Sequence, residues 1–485
     1  METRSPGEVS FRLHVEVSPA YYSEMLLFIY QKYIVPYHHK FANVRRWILD
    51  SRETLAFTLL GPNNLWYVDV EVTSGEPMEI RMRPSGPNVP TEALNRIKED
   101  LIIAVQMFED NVRRSTLYFV WGPERRIADE KTLTWRKKFL SQIFTGNMLL
   151  LFILFLLFSY LIFALAGLLG ILEYAPLILL LSQFILVLFA DKIIIQMGDW
   201  LITKDYSKVH ILQYHIPSED LEFIEQNYPR ERLLQIKKEI YERTLAIGKL
   251  IDADTIQEAF LKHGIRIKPE NLIIKSIDIY KLVDKVSEKF GMPIPKISVA
   301  NIIIPNAAAT GPRPGSSLVL ITSGLLIQLD EEEMLAVIGH EISHVKGRDP
   351  LIFFLLASAE YLFRVYVILR YLPHIIFLFG FLYLFFALSV IYFIAKFFEA
   401  RADLESAIIL GRADALANAL RKIGYRRLLF ERNVNRVSTW LGMDPHPPLS
   451  FRVERLESLE LQKIKHPLLQ SMKDCIRGLI KEISS

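Results

Sequence analysis

One cysteine, Cys475, stands in 485 residues, so an internal disulfide and a thiolate metal cluster are both excluded. This usage fits soluble parts that face a reducing compartment. An excess of one charge is also missing. The 57 basic and 54 acidic residues leave a net charge of +3, and no basic tail or aromatic-interleaved basic patch is present, so nucleic acid is not an expected partner. The opening METRSPGEVSFRLHVE lacks the basic-then-apolar layout of a signal peptide, and membrane insertion is expected to rely on internal segments. No internal repeat or low-complexity tract interrupts the chain.

What is abundant is apolar length. Hydrophobic residues make up 51% of the chain, and the excess falls in four blocks. Residues 148–172 and 174–190 are uncharged and separated only by Glu173, residues 351–372 carry Glu360, Arg364 and Arg370, and residues 373–395 carry only His374. About 20 apolar residues cross a hydrocarbon core of about 30 Å, so the blocks read as two transmembrane hairpins, at 141–196 and 350–396. The third block is the least apolar. Glu360 and Arg364 are four apart in the acid-first order that lets them pair on a helix, facing a protein-lined cavity; a helix lying on the membrane surface is the alternative. Arg136, Lys137 and Lys138 precede the first hairpin and Lys192, Lys204 and Lys208 follow it, while its turn has no basic residue. The positive-inside rule then puts the N-terminal and catalytic parts in the cytoplasm. An even number of crossings lets residues before 350 and after 396 meet.

Residues 1–140 read as a separate soluble α/β domain. FRLHVEVS, NLWYVDVEV and MEIRMR alternate as strands do, and TEALNRIKEDLIIAVQMFEDNVRR has helical periodicity with Thr91 as its cap. His38 and His39 are adjacent and diverge, a solvated pair. Residues 197–274 read as a charged helical insert on the cytoplasmic face, and residues 275–485 as the domain that carries the chemistry.

That chemistry centres on AVIGHEISHVKGRDP, residues 336–350. Asp330 and Glu333 have capping-box spacing and Gly347 stands where a helix would end, predicting one helix over 331–346. On it, His340 and His344 lie about 40° apart and Glu341 about 100° from His340. Two imidazoles one turn apart can bind one Zn²⁺, and a glutamate beside them can act as general base toward a water. A catalytic zinc takes a third protein ligand. In KFFEARADLESA, directly after the fourth block, Glu399 and Asp403 share a helical face, so Glu399 can ligate while Asp403 accepts the second ring N–H of a ligand histidine. Glu405 is the competing ligand, on another face.

With PNAAATG (305–311), LVLITSGLLIQLDEEEMLAVIGHEISHVKGRD (318–349), EARAD (399–403) and HPPLSFR (446–452) in this order, the sequence resembles the HtpX-like membrane-embedded zinc metallopeptidases. That family also includes the CAAX prenyl proteases. The resemblance covers 275–460 closely and 141–195 loosely. It implies that His340, His344 and Glu399 hold zinc, that Glu341 is the base, and that Asp403 supports a ligand histidine. His446 and Arg452 match residues that contact the substrate backbone or the developing oxyanion, and Asn306, Ala307 and Ala308 fall on the edge strand where an extended substrate adds. The N-terminal domain and much of residues 205–270 depart from the short bacterial pattern.

The expectation is therefore a multi-pass α-helical membrane protein. It has a mostly α (α+β) zincin-like HExxH metallopeptidase domain and an extra N-terminal α/β domain. Its expected activity is that of a zinc endopeptidase, with one Zn²⁺ per chain, cleaving membrane or membrane-associated proteins at the cytoplasmic face of the cell membrane in protein quality control. Its expected partners are a protein or peptide substrate and the lipid bilayer. A prenyl-peptide protease would need more than four spans. A non-enzymatic membrane adaptor would hold its zinc with four protein ligands.

Overall fold

A computed structural model of the chain describes residues 8–49, 52–86, 89–123, 148–195, 198–311, 313–434, 436–459 and 464–484. The basic flank Arg136, Lys137 and Lys138 lies outside them. The strands, in chain order, are β1 (Val9–Leu13), β2 (Phe41–Leu49), β3 (Arg52–Leu60), β4 (Tyr67–Thr73), β5 (Met78–Ser85), β6 (Thr116–Trp121), β7 (Trp200–Ile202), β8 (Lys208–His215), β9 (Leu272–Asp278), β10 (Lys296–Ala300), β11 (Ala307–Thr310) and β12 (Leu318–Thr322). They form sheets of order β1-β5-β4-β3-β2, β6-β8-β9 and β11-β12-β10-β7.

Two compact units result, Met1–Trp121 with Val209–Ile277, and Gly122–Lys208 with Asp278–Ser485. In the first, the inward residues Val68, Val70, Val72, Met78, Ile80 and Met82 of β4 and β5 are almost fully buried and pack under Leu101, Ile102 and Val105 of the helix Thr91–Arg114. That helix is capped by Pro90 in extended conformation and not by a side chain; Thr91 is its first turn. A second core joins Phe119 and Trp121 of β6 to Leu212 and Tyr214 of β8 and to Ile236, Ile240 and Phe260 from the helices Arg230–Arg243 and Ala253–Lys262. Residues 209–277 thus carry two strands besides their helices, and share this core with the N-terminal segment. The unit is β-rich, with β2 and β3 adding to the alternating strands legible in the sequence.

Among the described residues of the second unit, two helices are long and apolar enough to cross a membrane, Asp349–Tyr371 and Phe377–Leu410. The first two apolar blocks form the helices Met148–Leu168 and Ala175–Leu188. Glu360 accepts from Arg364 Nε at 3.0 Å and from the Tyr383 hydroxyl at 3.2 Å, which ties the two long apolar helices together.

The motif helix, Glu331–Gly347, begins with the capping box: Asp330 accepts from the Glu333 N–H and Glu333 from the Asp330 N–H. Its end differs from the sequence expectation. Gly347 is still helical, and Arg348, at φ 56°, takes the left-handed position. A Cβ at Gly347 would displace the guanidinium of Arg401 from its bonds to Ser343 and Asp349, so that glycine serves packing and not the turn. A non-glycine residue in left-handed conformation costs roughly 1 kcal/mol. Arg348→Gly is therefore expected to stabilise the unit by up to about 1 kcal/mol, while Gly347→Ala is expected to lower the melting temperature of the detergent-solubilised protein. Equal or reversed shifts would contradict this division of roles.

Candidate metal centre

The motif helix crosses the long helix Pro373–Leu410 at Gly339, where a Cβ would stand 2.7 Å from Ser406 Oγ and from Leu410 Cδ1. Ser406 donates to the Ala336 carbonyl at 2.7 Å and Arg401 to the Ser343 carbonyl at 3.1 Å, so the two helices run past each other in opposite directions. On the long helix, positions 399, 403, 406 and 410 recur at the spacing of one face. Glu399 therefore arrives beside the two histidines.

The three groups converge. His340 Nε2 and His344 Nε2 lie 3.1 Å apart, and Glu399 oxygens lie 3.5 Å and 3.4 Å from them. These three side chains form the group that can hold a metal ion among the described residues. The donor set fits a cation on its own terms. Glu399 Oε2 is buried with no hydrogen-bond partner, the Nε2 atoms of both imidazoles lie against the carboxylate, and the half-buried carboxyl of Glu341 and the buried one of Asp403 stand nearby.

Each histidine is held from behind. His344 Nδ1 meets Asp349 Oδ2 at 2.7 Å, and the same oxygen accepts from Arg401 at 2.6 Å. His340 Nδ1 lies 2.9 Å from Asp403 Oδ1, with the ring N–H off the direct line so that the contact is an ion-pair approach and not a well-aligned hydrogen bond. Asp403 is gripped by Arg452 through two bonds, 2.8 Å and 2.7 Å. Such a fork fixes the plane of the carboxylate as well as its position. Burial alone would lower the pKa of His340, but Asp403 and Glu399 outweigh it and raise it to about 10 in the metal-free site. A bound cation relieves that proton demand.

Glu341 points to the other side of the site. Its Oε2 accepts from the backbone N–H of Ala309 at 2.8 Å, in β11, the edge strand of its sheet. Burial pushes the Glu341 carboxyl above its ordinary pKa, against the opposing pull of His340 and His344. The turn before β11 is secured by Thr322, whose hydroxyl accepts from the Asn306 N–H at 2.8 Å and whose own N–H donates to the Asn306 carbonyl at 3.0 Å. Asn306, Ala307 and Ala308 accordingly stand at a sheet edge beside Glu341.

The profile described as Peptidase family M48 matches residues 275–460. Over 214 residues the chain is 34% identical to the Protease HtpX homolog of Pyrococcus abyssi, an alignment that covers 38% of this chain and 74% of that protein. The chain belongs to peptidase family M48. The Protease HtpX homolog of Gemmatimonas aurantiaca is 29% identical over 218 residues, 38% of this chain and 75% of its own length. That of Methanocaldococcus jannaschii is 44% identical over 80 residues, 16% of this chain and 28% of its own length. The chain is thus a protease whose N-terminal unit stands outside the family match.

Within this M48 peptidase the structure brings His446 and Arg452 to the same centre in different ways. His446 is part-exposed, its Nε2 3.6 Å from Glu399 Oε2, and its Nδ1 meets Asp444 Oδ1 at 2.8 Å. Arg452 is buried, spends its fork on Asp403, and leaves Nη1 3.8 Å from Glu399. Glu405, the competing ligand in the sequence, instead accepts from the Ser343 hydroxyl at 2.8 Å. Sequence reasoning missed Asp349, Arg401, Asp444 and Lys396. The buried Lys396 ammonium donates to the Gly442 carbonyl at 3.2 Å and to the Asp444 carbonyl, and so fastens the His446 loop to the long helix. The signals were present as an aspartate just past the motif and another two residues before His446.

Carboxylates behind ligand histidines typically tune metal affinity tenfold to a hundredfold. Asp349→Asn and Asp403→Asn are each expected to weaken divalent-metal affinity by at least tenfold in a chelator competition. Unchanged affinity in both would remove these carboxylates from the metal centre.

Proposed function

We propose that the chain is an integral-membrane zinc endopeptidase that cleaves membrane or membrane-associated proteins at the cytoplasmic face, in a quality-control role. The observation that carries the chemistry is the convergence of His340, His344 and Glu399 beside a half-buried Glu341 in a chain of family M48. Three converging groups, not four, favour a catalytic centre with an open position over a closed structural one.

A zinc ion bound there supplies Lewis acidity, polarising the scissile carbonyl and an attacking water. Glu341 takes the proton from that water and returns it to the leaving amine; its raised pKa brings it closer to the range a general base needs near neutrality. An extended substrate pairs with the edge made by Asn306 and by Ala307 and Ala308 of β11, which sets its carbonyl over the site. His446, part-exposed and oriented by Asp444, faces the substrate oxygen where negative charge builds. Arg452 acts through Asp403, holding the carboxylate that holds His340.

Strand pairing supports the four-span reading. β6 and β8 pair over Thr116↔His215 to Trp121↔His210, so the intervening segment, with its two apolar helices, leaves and returns to one place. The contacts of the motif helix with residues 401 and 406 require the same of residues 350–396. Lys192, Lys204 and Lys208 flank the first hairpin and favour a cytoplasmic site. Four spans also leave less apolar length than an intramembrane chamber for prenyl peptides would need.

Glu341→Gln is expected to retain one zinc per chain by elemental analysis and to reduce cleavage of an unfolded model protein by several orders of magnitude. Chelator is expected to silence the wild type and zinc to restore it. Persistent cleavage by the Glu341→Gln protein would remove Glu341 as the base, and chelator-resistant cleavage would remove the metal.

A further inference from the structure

The C-terminal helix, Pro467–Ser484, takes no part in the site, yet it carries a pattern that needs a partner. At about 100° per residue, Ile476, Ile480 and Ile483 fall within roughly 60° of its surface. They are 43%, 58% and 63% exposed. Beside them runs a second stripe, of Lys473, Arg477 and Lys481, also exposed. The opposite side is spent on packing. Cys475 is buried in a cluster with Phe397, Ala400 and Trp440, flanked by Phe393, Met472 and Leu479.

The packing sets the height of each turn. Arg455 bonds both Ser471 Oγ at 2.8 Å and the Ala400 carbonyl at 2.6 Å, and one turn further on Cys475 Sγ lies 3.8 Å from the Lys396 carbonyl. As the C-terminal helix advances by four residues, its neighbour on the long helix falls back by four, so the two run antiparallel. Another four residues, about 6 Å, bring Leu479 to Phe393, its companion in the cluster. The next step brings Ile483 level with Ser389 and Val390. That level lies within the uncharged stretch 375–395 of the long helix, which exposes Phe381, Phe386 and Val390 on its own surface.

We propose that the last two and a half turns of the C-terminal helix dip into the bilayer, with Ile476, Ile480 and Ile483 against lipid chains and Lys473, Arg477 and Lys481 reaching anionic headgroups. The inference rests on the spanning reading of residues 373–395. Two features select a phospholipid surface as the occupant. The isoleucine stripe continues the apolar belt of the long helix at the same height, and the adjacent cations complement headgroup phosphates, with long side chains that can reach back to the interface. The contact would clamp the helix that supports Lys396 and Ala400, three residues and one residue from Glu399, to the membrane plane.

The test uses the full chain in phosphatidylglycerol/phosphatidylcholine proteoliposomes. In a Cys475→Ala background, single cysteines at positions 480, 483, 382 and 226 are labelled with a fluorophore and quenched with lipids that carry a spin label at shallow or deep positions. Position 382 sits on the long helix with Leu382 62% exposed, and position 226 is an exposed site of the N-terminal unit. Retained zinc content checks that each variant is folded. Labels at 480 and 483 are expected to be quenched at least half as strongly as that at 382, and more by the shallow probe, with 226 unaffected. If 382 is quenched while 480 and 483 behave like 226, the proposal is overturned and the spanning reading stands; a disulfide between copies through position 480 would then name a second copy as the occupant. If 382 also escapes quenching, the spanning reading fails and the proposal with it.

Discussion

The close crossing at Gly339 is the contact on which the metal centre depends. With no Cβ at that point, the backbone of the motif helix comes against Ser406 and Leu410, and only at that separation can a glutamate on one helix complete a site begun by two histidines on the other. A Cβ there would have to turn the Ser406 hydroxyl off the Ala336 carbonyl and displace the end of Leu410, or else part the helices, and a shift of even 1 Å would alter the spacing of all three converging groups. The capping box at Asp330 fixes where the motif helix starts, and the Ser406, Arg401 and Ser343 bonds fix its rotation against its partner. Position and phase are both determined before any metal enters.

Around this crossing the protein buries an unusual number of charges. Asp349 with Arg401, Asp403 with Arg452, and Glu333 with Lys422 at 2.7 Å are all nearly inaccessible. Pairs of this kind contribute little net stability, because desolvation consumes the attraction, but removing one partner costs about 3–5 kcal/mol. Their value lies in direction. An apolar core would hold the helices equally well and leave the two imidazoles free to rotate, whereas Asp349, gripped by Arg401, hydrogen-bonds the His344 ring and Asp403, gripped by Arg452, stands 2.9 Å behind the His340 ring. Arg401 and Arg452 thus convert the fold's rigidity into ligand geometry.

The parts legible in the sequence were those encoded locally. The capping box, the one-turn spacing of His340 and His344, and the shared face of Glu399 and Asp403 all follow from helical periodicity. Gly347 was misread because a glycine after a helical run is ordinarily its left-handed terminator; here the space it leaves is filled by Arg401, more than 50 residues away in sequence, and Arg348 bears the strain. Asp349 begins the next helix, and its reach back to His344 depends on that left-handed residue. Thr91 was read as a cap because threonine often is one, but Pro90 already supplies the extended entry. Strand β2 escaped detection for a different reason. It is an edge strand with little buried surface, and its Arg45, Arg46, Trp47 order breaks the alternation on which such reading relies.

Non-local pairing also changes how the departures from shorter relatives are understood. In the sequence they are two, an N-terminal domain and an insert. In the structure, Phe119 and Trp121 from one pack against Leu212, Tyr214 and Phe260 from the other, in a single core with β6 and β8 paired in register. Neither piece can bury those side chains alone, so the two are one module, entered by the chain before the first apolar hairpin and completed after it. The family match begins at residue 275, and the module's second piece ends at Ile277. The addition therefore brackets the first apolar hairpin in sequence and leaves the crossing of the motif helix and the long helix wholly within the family-matched segment.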